Sequence, residues 1–142
     1  MNCDISPDLI APCGMNCAVC SAYLSFINDA PFTKCKGCRP RNKQCAFIKK
    51  TCKDNRKLLK GKISFCYECN CFPCERLEKL DRRYRENYGM SMIENLNCIR
   101  QNGMDAFIKS QYKKYRCPKC GGLKSTHNKK CFKCDKVTGL KE

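Results

Sequence analysis

Seventeen cysteines in 142 residues constrain this chain more than anything else in it. Leu, Ile, Val and Phe together make up only about 18% of the sequence, and the formal charge is +16. Without crosslinks such a composition falls among disordered chains. Ordering the chain costs on the order of 200 kcal/mol at roughly 1.5 kcal/mol per residue. An aliphatic core this thin cannot oppose that cost alone, so disulfides or metal must contribute. A structural metal site returns about 10 to 16 kcal/mol, and three or four sites would decide folding.

The redox compartment separates the two crosslinkers. The N-terminus MNCDISPDLIAPCG has no basic segment followed by an apolar run of leader length, so a cytoplasmic chain with reduced thiols is expected. An odd cysteine count also leaves one thiol over if all the others pair. No apolar stretch approaches the ~20 residues of a membrane helix. Metal is therefore the expected crosslinker. Thiolate ligands then correct the charge: each tetrathiolate site with a divalent ion carries minus two, and four sites would lower +16 to about +8.

The cysteines divide the chain into an expected Cys-rich metal module at 1–74, a helical segment at 75–115 packing on it, and a zinc ribbon at 116–142. The expected fold is small and metal-stabilised, mainly α with irregular Cys-rich loops and a C-terminal β zinc ribbon. In the middle segment Pro73 suits a first helical turn, Leu77, Leu80, Tyr84 and Tyr88 recur at spacings of three and four, and Gly89 ends the pattern. Ser91 to Glu94 is a capping box for a second helix carrying Met92, Ile93, Leu96 and Ile99 up to Gly103. A third helix is expected over 104–114, with Met104, Phe107, Ile108 and Tyr112 as its apolar stripe. Further helices are expected over Asn16 to Asn28 and Asn42 to Cys52.

The sharpest metal signal is Cys117-Pro-Lys-Cys120, ten residues, then Cys131-Phe-Lys-Cys134. Two CxxC knuckles joined by a short hairpin close a tetrahedral zinc site, and Gly121 and Gly122 give the turn its backbone freedom. His127, the one histidine, lies between the knuckles. With four thiolates already present it is expected to be a non-ligand. A site so closed has no open position for substrate, and no catalytic residue is assigned.

Upstream, Cys13-Gly-Met-Asn-Cys17-Ala-Val-Cys20 can hold three irons of a [4Fe-4S] cluster or supply three zinc ligands. The same spacing occurs in radical SAM enzymes, but this chain lacks the length and the alternating strand and helix pattern of their barrel. Cys35-Lys-Gly-Cys38 with Cys45 and Cys52 makes a reasonable mononuclear site. Cys66-Tyr-Glu-Cys69-Asn-Cys71-Phe-Pro-Cys74 adds another knuckle with two spare thiols. The spacing leaves the grouping into sites open.

The order CGMNCAVC, CKGC, CAFIKKTC, FCYECNCFPCERL, YGMSMIENLNCIRQNG and CPKCGG…HNKKCFKC resembles a family of small cysteine-rich bacterial and archaeal proteins catalogued as a domain of unknown function, often with a C-terminal zinc ribbon. The resemblance runs from about Ala11 to Asp135. It implies metal binding by Cys13, Cys17, Cys20, Cys35, Cys38, Cys45, Cys52, Cys66, Cys69 and Cys74, and it implies no activity. Cys3, Cys71 and Cys98 fall outside its pattern.

Two functional classes follow. One is a zinc protein with several structural sites, acting as a binding or adaptor module for a nucleic acid or protein partner. Residues 109–133 hold nine basic residues and no acid, and Lys113, Lys114, Arg116, Lys119 and Lys124 are the candidate phosphate contacts. The other is redox or metal handling, with an iron-sulfur cluster in the N-terminal module. A thiol enzyme would need a base beside a reactive cysteine, and the one histidine lies in the ribbon. Oligomeric state is not legible.

Overall fold

The computed structural model describes residues 5–37, 64–69 and 72–137. The expected helix over Asn42 to Cys52 lies outside them, as do Cys3, Cys38, Cys45, Cys52 and Cys71. The described part is mainly helical, with Cys-rich loops. Its α-helices are α1 (Ser21–Ile27), α2 (Glu75–Tyr88), α3 (Met92–Asn102) and α4 (Met104–Tyr115), with 3-10 turns at Pro7–Leu9, Cys17–Val19 and Cys66–Glu68.

Helix α2 starts two residues beyond Pro73, because Cys74 is its N-cap and its sulfur accepts the Leu77 N–H at 3.4 Å. Gly89, at φ 71°, ends it in the left-handed conformation that glycine adopts without a Cβ penalty. Ser91 caps α3 by accepting the Glu94 amide at 3.1 Å. The buried residues of α3, Met92, Asn95, Leu96 and Ile99, follow the spacing of one helix face. On α4 the buried set is Phe107, Ile108, Gln111 and Tyr115. Tyr115 thus closes the stripe, while Tyr112 is half-buried and donates its hydroxyl to the Gly121 carbonyl at 3.1 Å.

The expected single helix over Asn16 to Asn28 is broken at Cys20, which is extended at φ −77° and ψ 134°. The Asn16 side chain caps the preceding 3-10 turn by accepting the Ala18 N–H at 3.1 Å, and α1 starts afresh at Ser21.

The N-terminal loop lies on the helices. Asn95 Nδ2 donates to the Gly14 carbonyl at 2.8 Å, and Asn16 Nδ2 donates to Gln111 Oε1 at 3.1 Å. Gly14 sits at φ +92°, and a Cβ there would lie 2.5 Å from the Met92 carbonyl oxygen. Around this contact Ile10, Leu24, Leu77, Met92, Leu96 and Phe107 are fully buried. Each contributes about 1.5 to 3 kcal/mol of burial.

The C-terminal segment departs from the expected β ribbon. Among the described residues there is no strand; the segment closes through the antiparallel bridges Arg116–Leu123 and Lys124–Cys131. The two knuckle turns, the Gly121-Gly122 pair and the turn at 126–128 leave too few consecutive extended residues for a ladder.

Candidate metal centre

The first knuckle follows directly from α4, whose C-cap Arg116 is extended and turns the chain into Cys117. Two backbone bonds then close it: Gly121 N–H to the Cys117 carbonyl at 2.9 Å, and Cys117 N–H to the Gly122 carbonyl at 2.6 Å. The second knuckle repeats the pattern, with Asp135 N–H bonding to the Cys131 carbonyl at 2.8 Å. Its remaining donor, the Cys131 N–H, is satisfied by Asp135 Oδ2 at 2.8 Å.

These turns bring the sulfurs of Cys117, Cys120, Cys131 and Cys134 within 4.8 Å of one another. The Cys117–Cys134 separation is 4.0 Å and the Cys120–Cys131 separation 3.6 Å. A tetrahedron with metal–sulfur bonds of ~2.3 Å has sulfur–sulfur edges of ~3.8 Å, which the two distances bracket. Both are far longer than the ~2.05 Å of a disulfide. The donor set therefore fits a tetrahedral ion. Cys117 and Cys131 are buried, while Cys120 and Cys134 face solvent.

The electrostatics agree with the geometry. The backbone amides of Cys120 and Lys119 hold the Cys117 thiol down to about 7. Cys134 is pushed up to about 12, first by its hydrogen bond with Cys120, then by burial and the other sulfurs. Burial also pushes Cys131 up. One thiolate is stabilised by backbone dipoles, and further negative charge among four sulfurs needs a cation. Gly122 N–H donates to Cys120 Sγ at 3.4 Å.

His127 stands apart from this centre. Its Nδ1 accepts the Ser21 N–H at 3.2 Å, so the neutral ring carries its proton on Nε2, 3.0 Å from the Tyr84 hydroxyl. The same turn is bound by Thr126 N–H to the Val19 carbonyl at 2.8 Å and by the Ser21–Ser125 hydroxyl pair at 2.6 Å. The loop between the knuckles is thus the seam to the N-terminal module. Sequence spacing carries no signal for these polar contacts, nor for Asp135.

The N-terminal cysteines are placed as follows. Cys17 opens a 3-10 turn, Cys20 precedes α1, and the Cys35 amide bonds to the Ala22 carbonyl at 3.1 Å. Gly37 N–H donates to Cys35 Sγ at 3.4 Å, the same contact that Gly122 makes to Cys120. Cys66 N–H bonds to the Pro12 carbonyl at 2.8 Å, which sets the Cys66 and Cys69 turn beside Cys13. Burial pushes the Cys20 thiol up, opposed by the amides of Ala22 and Tyr23 and reinforced by Cys35. Burial raises Tyr84 too, with Cys20 and Cys13 adding to it. Among the described residues, only the C-terminal four bring three or more ligand atoms within 4.8 Å of one another. Cys13, Cys17, Cys20, Cys35, Cys66, Cys69 and Cys74 do not form such a group there, and Cys38, Cys45 and Cys52 lie outside the described residues.

Of the candidate phosphate contacts, Lys113, Arg116 and Lys119 are exposed and Lys124 is half-buried. Lys114 Nζ donates to the Gly89 carbonyl at 3.1 Å, and Lys129 Nζ donates to the neighbouring Tyr88 carbonyl. Two lysines thus converge on the C-terminal end of α2, where the helix dipole favours cations. Burial lowers Lys129, and the nearby Lys114 lowers it further.

No helix among the described residues is long and apolar enough to cross a membrane. Comparison with curated proteins and with solved structures gives no match. A family model does match, over residues 9–79, which take in the N-terminal cysteines from Cys13 to Cys74 and the first turn of α2 but not the C-terminal four-cysteine centre. The chain belongs to the family described as proteins of unknown function, DUF3795, through residues 9–79.

Proposed function

We propose that this is a zinc protein in which Cys117, Cys120, Cys131 and Cys134 hold a structural ion, forming a short variant of a zinc ribbon. The observation that carries the reading is the convergence of four sulfurs from two like turns at separations matching a tetrahedral thiolate site. When bound, the ion offsets the thiolate charge and crosslinks two turns that backbone bonds alone hold together. All four positions are protein thiolates, so the role is structural and the centre is not a site of catalysis.

The N-terminal module is read as a second metal region built from Cys13, Cys17, Cys20, Cys35, Cys38, Cys45, Cys52, Cys66, Cys69 and Cys74. Its support is geometric: the sulfurs of Cys35 and Cys74 each accept a backbone N–H at 3.4 Å, the contact that Cys120 also makes in the C-terminal centre. The same donors favour a second reading, an iron-sulfur or metal-handling module, since hydrogen bonds to sulfur tune cluster potentials. In either case the chain acts as a cytoplasmic binding or adaptor module, and its basic residues contact a nucleic acid or protein partner.

Elemental analysis with an absorption spectrum of anaerobically purified protein tests this. Three or more zinc ions per chain and a colourless solution are expected. A broad band near ~400 nm that bleaches with dithionite establishes the iron-sulfur reading instead. One metal per chain, retained by the C-terminal cysteines alone, overturns the N-terminal metal region. No bound metal overturns the whole proposal.

A further inference from the structure

Among the described residues two large apolar side chains are exposed, and they are neighbours on one short helix: Phe26 is 41% exposed and Ile27 50%. Ile27 lines a shallow, solvent-open groove between α1 and the C-terminal knuckle segment. Tyr23, Leu24 and Ile27 form one wall, Leu123 and Phe132 the other, and Lys133 lies at the margin. Ile27, exposed at the lip of this groove with Phe26 exposed beside it on α1, offers an apolar anchor at the surface.

Charge selects the occupant. Helix α1, SAYLSFI, has no ionised side chain, and the acid that follows it, Asp29, is paired with Lys34 at 2.6 Å. The opposite wall belongs to a segment, 116–137, with seven basic residues and one acid, and that acid, Asp135, is turned onto the Cys131 amide. A second copy of this chain, still strongly basic once its thiolates are counted, would bring like charges together across this face. A nucleic acid would set phosphates against α1, which offers them no cation. An apolar segment flanked by carboxylates satisfies both walls at once.

We propose that the groove between α1 and the knuckle segment is a docking site for an acidic amphipathic segment of a partner protein, its apolar anchors lying between Ile27 and Phe132 and its carboxylates facing Lys133. This goes beyond the structural-metal reading and requires only that the knuckle segment be folded.

The test is fluorescence anisotropy of a labelled peptide with Leu and Phe at helical spacing among Glu residues, titrated with the metal-loaded full chain. Saturable binding that weakens with salt is expected, with Ile27→Ser and Lys133→Glu each reducing affinity about tenfold. Both side chains reach solvent, and metal content and circular dichroism of each variant confirm that the fold is intact. Absence of binding by metal-loaded protein, equal binding of a Lys-for-Glu peptide, or indifference to Ile27→Ser overturns the docking site. Displacement of the peptide by oligouridine, or a wild-type dimer dissolved by Ile27→Ser, overturns it in favour of RNA or a second copy. Loss of the metal itself is a separate result, and it counts against the proposed function.

Discussion

His127 Nδ1 accepts the backbone N–H of Ser21 across 106 positions of sequence, which fastens the loop between the C-terminal knuckles to the start of α1. The other ring nitrogen meets the Tyr84 hydroxyl on α2, and the ring lies edge-on to Tyr88, 4.8 Å between centroids. One imidazole therefore joins three parts of the chain whose sequences give no hint of adjacency.

Replacing His127 with Ala leaves the Ser21 amide and the Tyr84 hydroxyl without these acceptor and donor partners. A cost of about 1 to 3 kcal/mol is expected, because a part-buried donor loses its partner. Denaturant unfolding of the metal-loaded protein measures it. Metal content distinguishes this role from ligation: loss of one equivalent in the variant would place His127 in a metal site instead.

Asp81 makes the corresponding link between α2 and α3. Its Oδ1 accepts the Ser91 hydroxyl at 2.5 Å and the Ile93 amide at 3.0 Å, and Arg85 Nε reaches Oδ2 at 3.2 Å. Burial pushes the carboxyl up, but the bonds from Ser91, Ile93 and Arg85 outweigh it and hold Asp81 below the usual carboxylate range. A depressed native value stabilises the fold above the unfolded pKa of ~3.9, and this contribution is lost as pH falls through the native value. Asp81→Ala is expected to cost about 1 to 3 kcal/mol at neutral pH. The gap between wild type and variant should stay level from neutral pH down to ~4 and close only below that. A gap that closes between pH 7 and 5 refutes the assignment.

Two glycines with similar backbones give a sharper contrast. Gly14 at φ +92° faces the Met92 carbonyl oxygen and Leu96 Cγ, which a Cβ would approach to 2.5 and 2.9 Å, whereas Gly89 at φ +71° has nothing within 4 Å. Gly89→Ala carries conformational strain alone, about 1 kcal/mol. Gly14→Ala must also displace backbone of α3, and a loss of at least ~2 kcal/mol is expected. Equal melting temperatures for the two variants would show that the N-terminal loop does not bear on α3 this closely.

These contacts mark what the sequence revealed and what it hid. Helices α2, α3 and α4 were legible because local signals agree: apolar residues at three and four, Ser91 followed by Glu94, and Gly89 and Gly103 at the ends. The C-terminal set of four cysteines was legible because CxxC spacing places two sulfurs on one turn whatever surrounds it. Cys74 as a helix cap was hidden, since a thiol is not among the common capping residues, and it moved the start of α2 away from Pro73. The break at Cys20 was hidden because apolar spacing continues through it while the backbone does not. The missing strands reflect turn chemistry that outweighs pairing in so short a hairpin. Polar seams such as Ser21 to Ser125 join residues far apart in sequence, and no periodicity encodes them.

Metal removal tests the centre and its seam together. Without the ion, the knuckle segment keeps its turn bonds and the bridges Arg116–Leu123 and Lys124–Cys131, but four close sulfurs then lack the cation that offsets their charge. The seam depends on that segment, through Thr126 N–H to the Val19 carbonyl and the Tyr115–Thr126 hydroxyl pair at 3.3 Å. Cys117→Ser is therefore expected to lose one metal per chain and to expose the amides of Thr126 and Lys129 to hydrogen exchange. The amides of α3, whose packing on Gly14 and α4 does not involve the centre, should remain protected. Chelation of the wild-type protein should reproduce this and, where the N-terminal cysteines also hold metal, extend the loss of protection to residues 13–37. Full protection of Thr126 after verified loss of all metal would show that the hairpin stands on its backbone bonds alone, and the structural role assigned to the centre would fall.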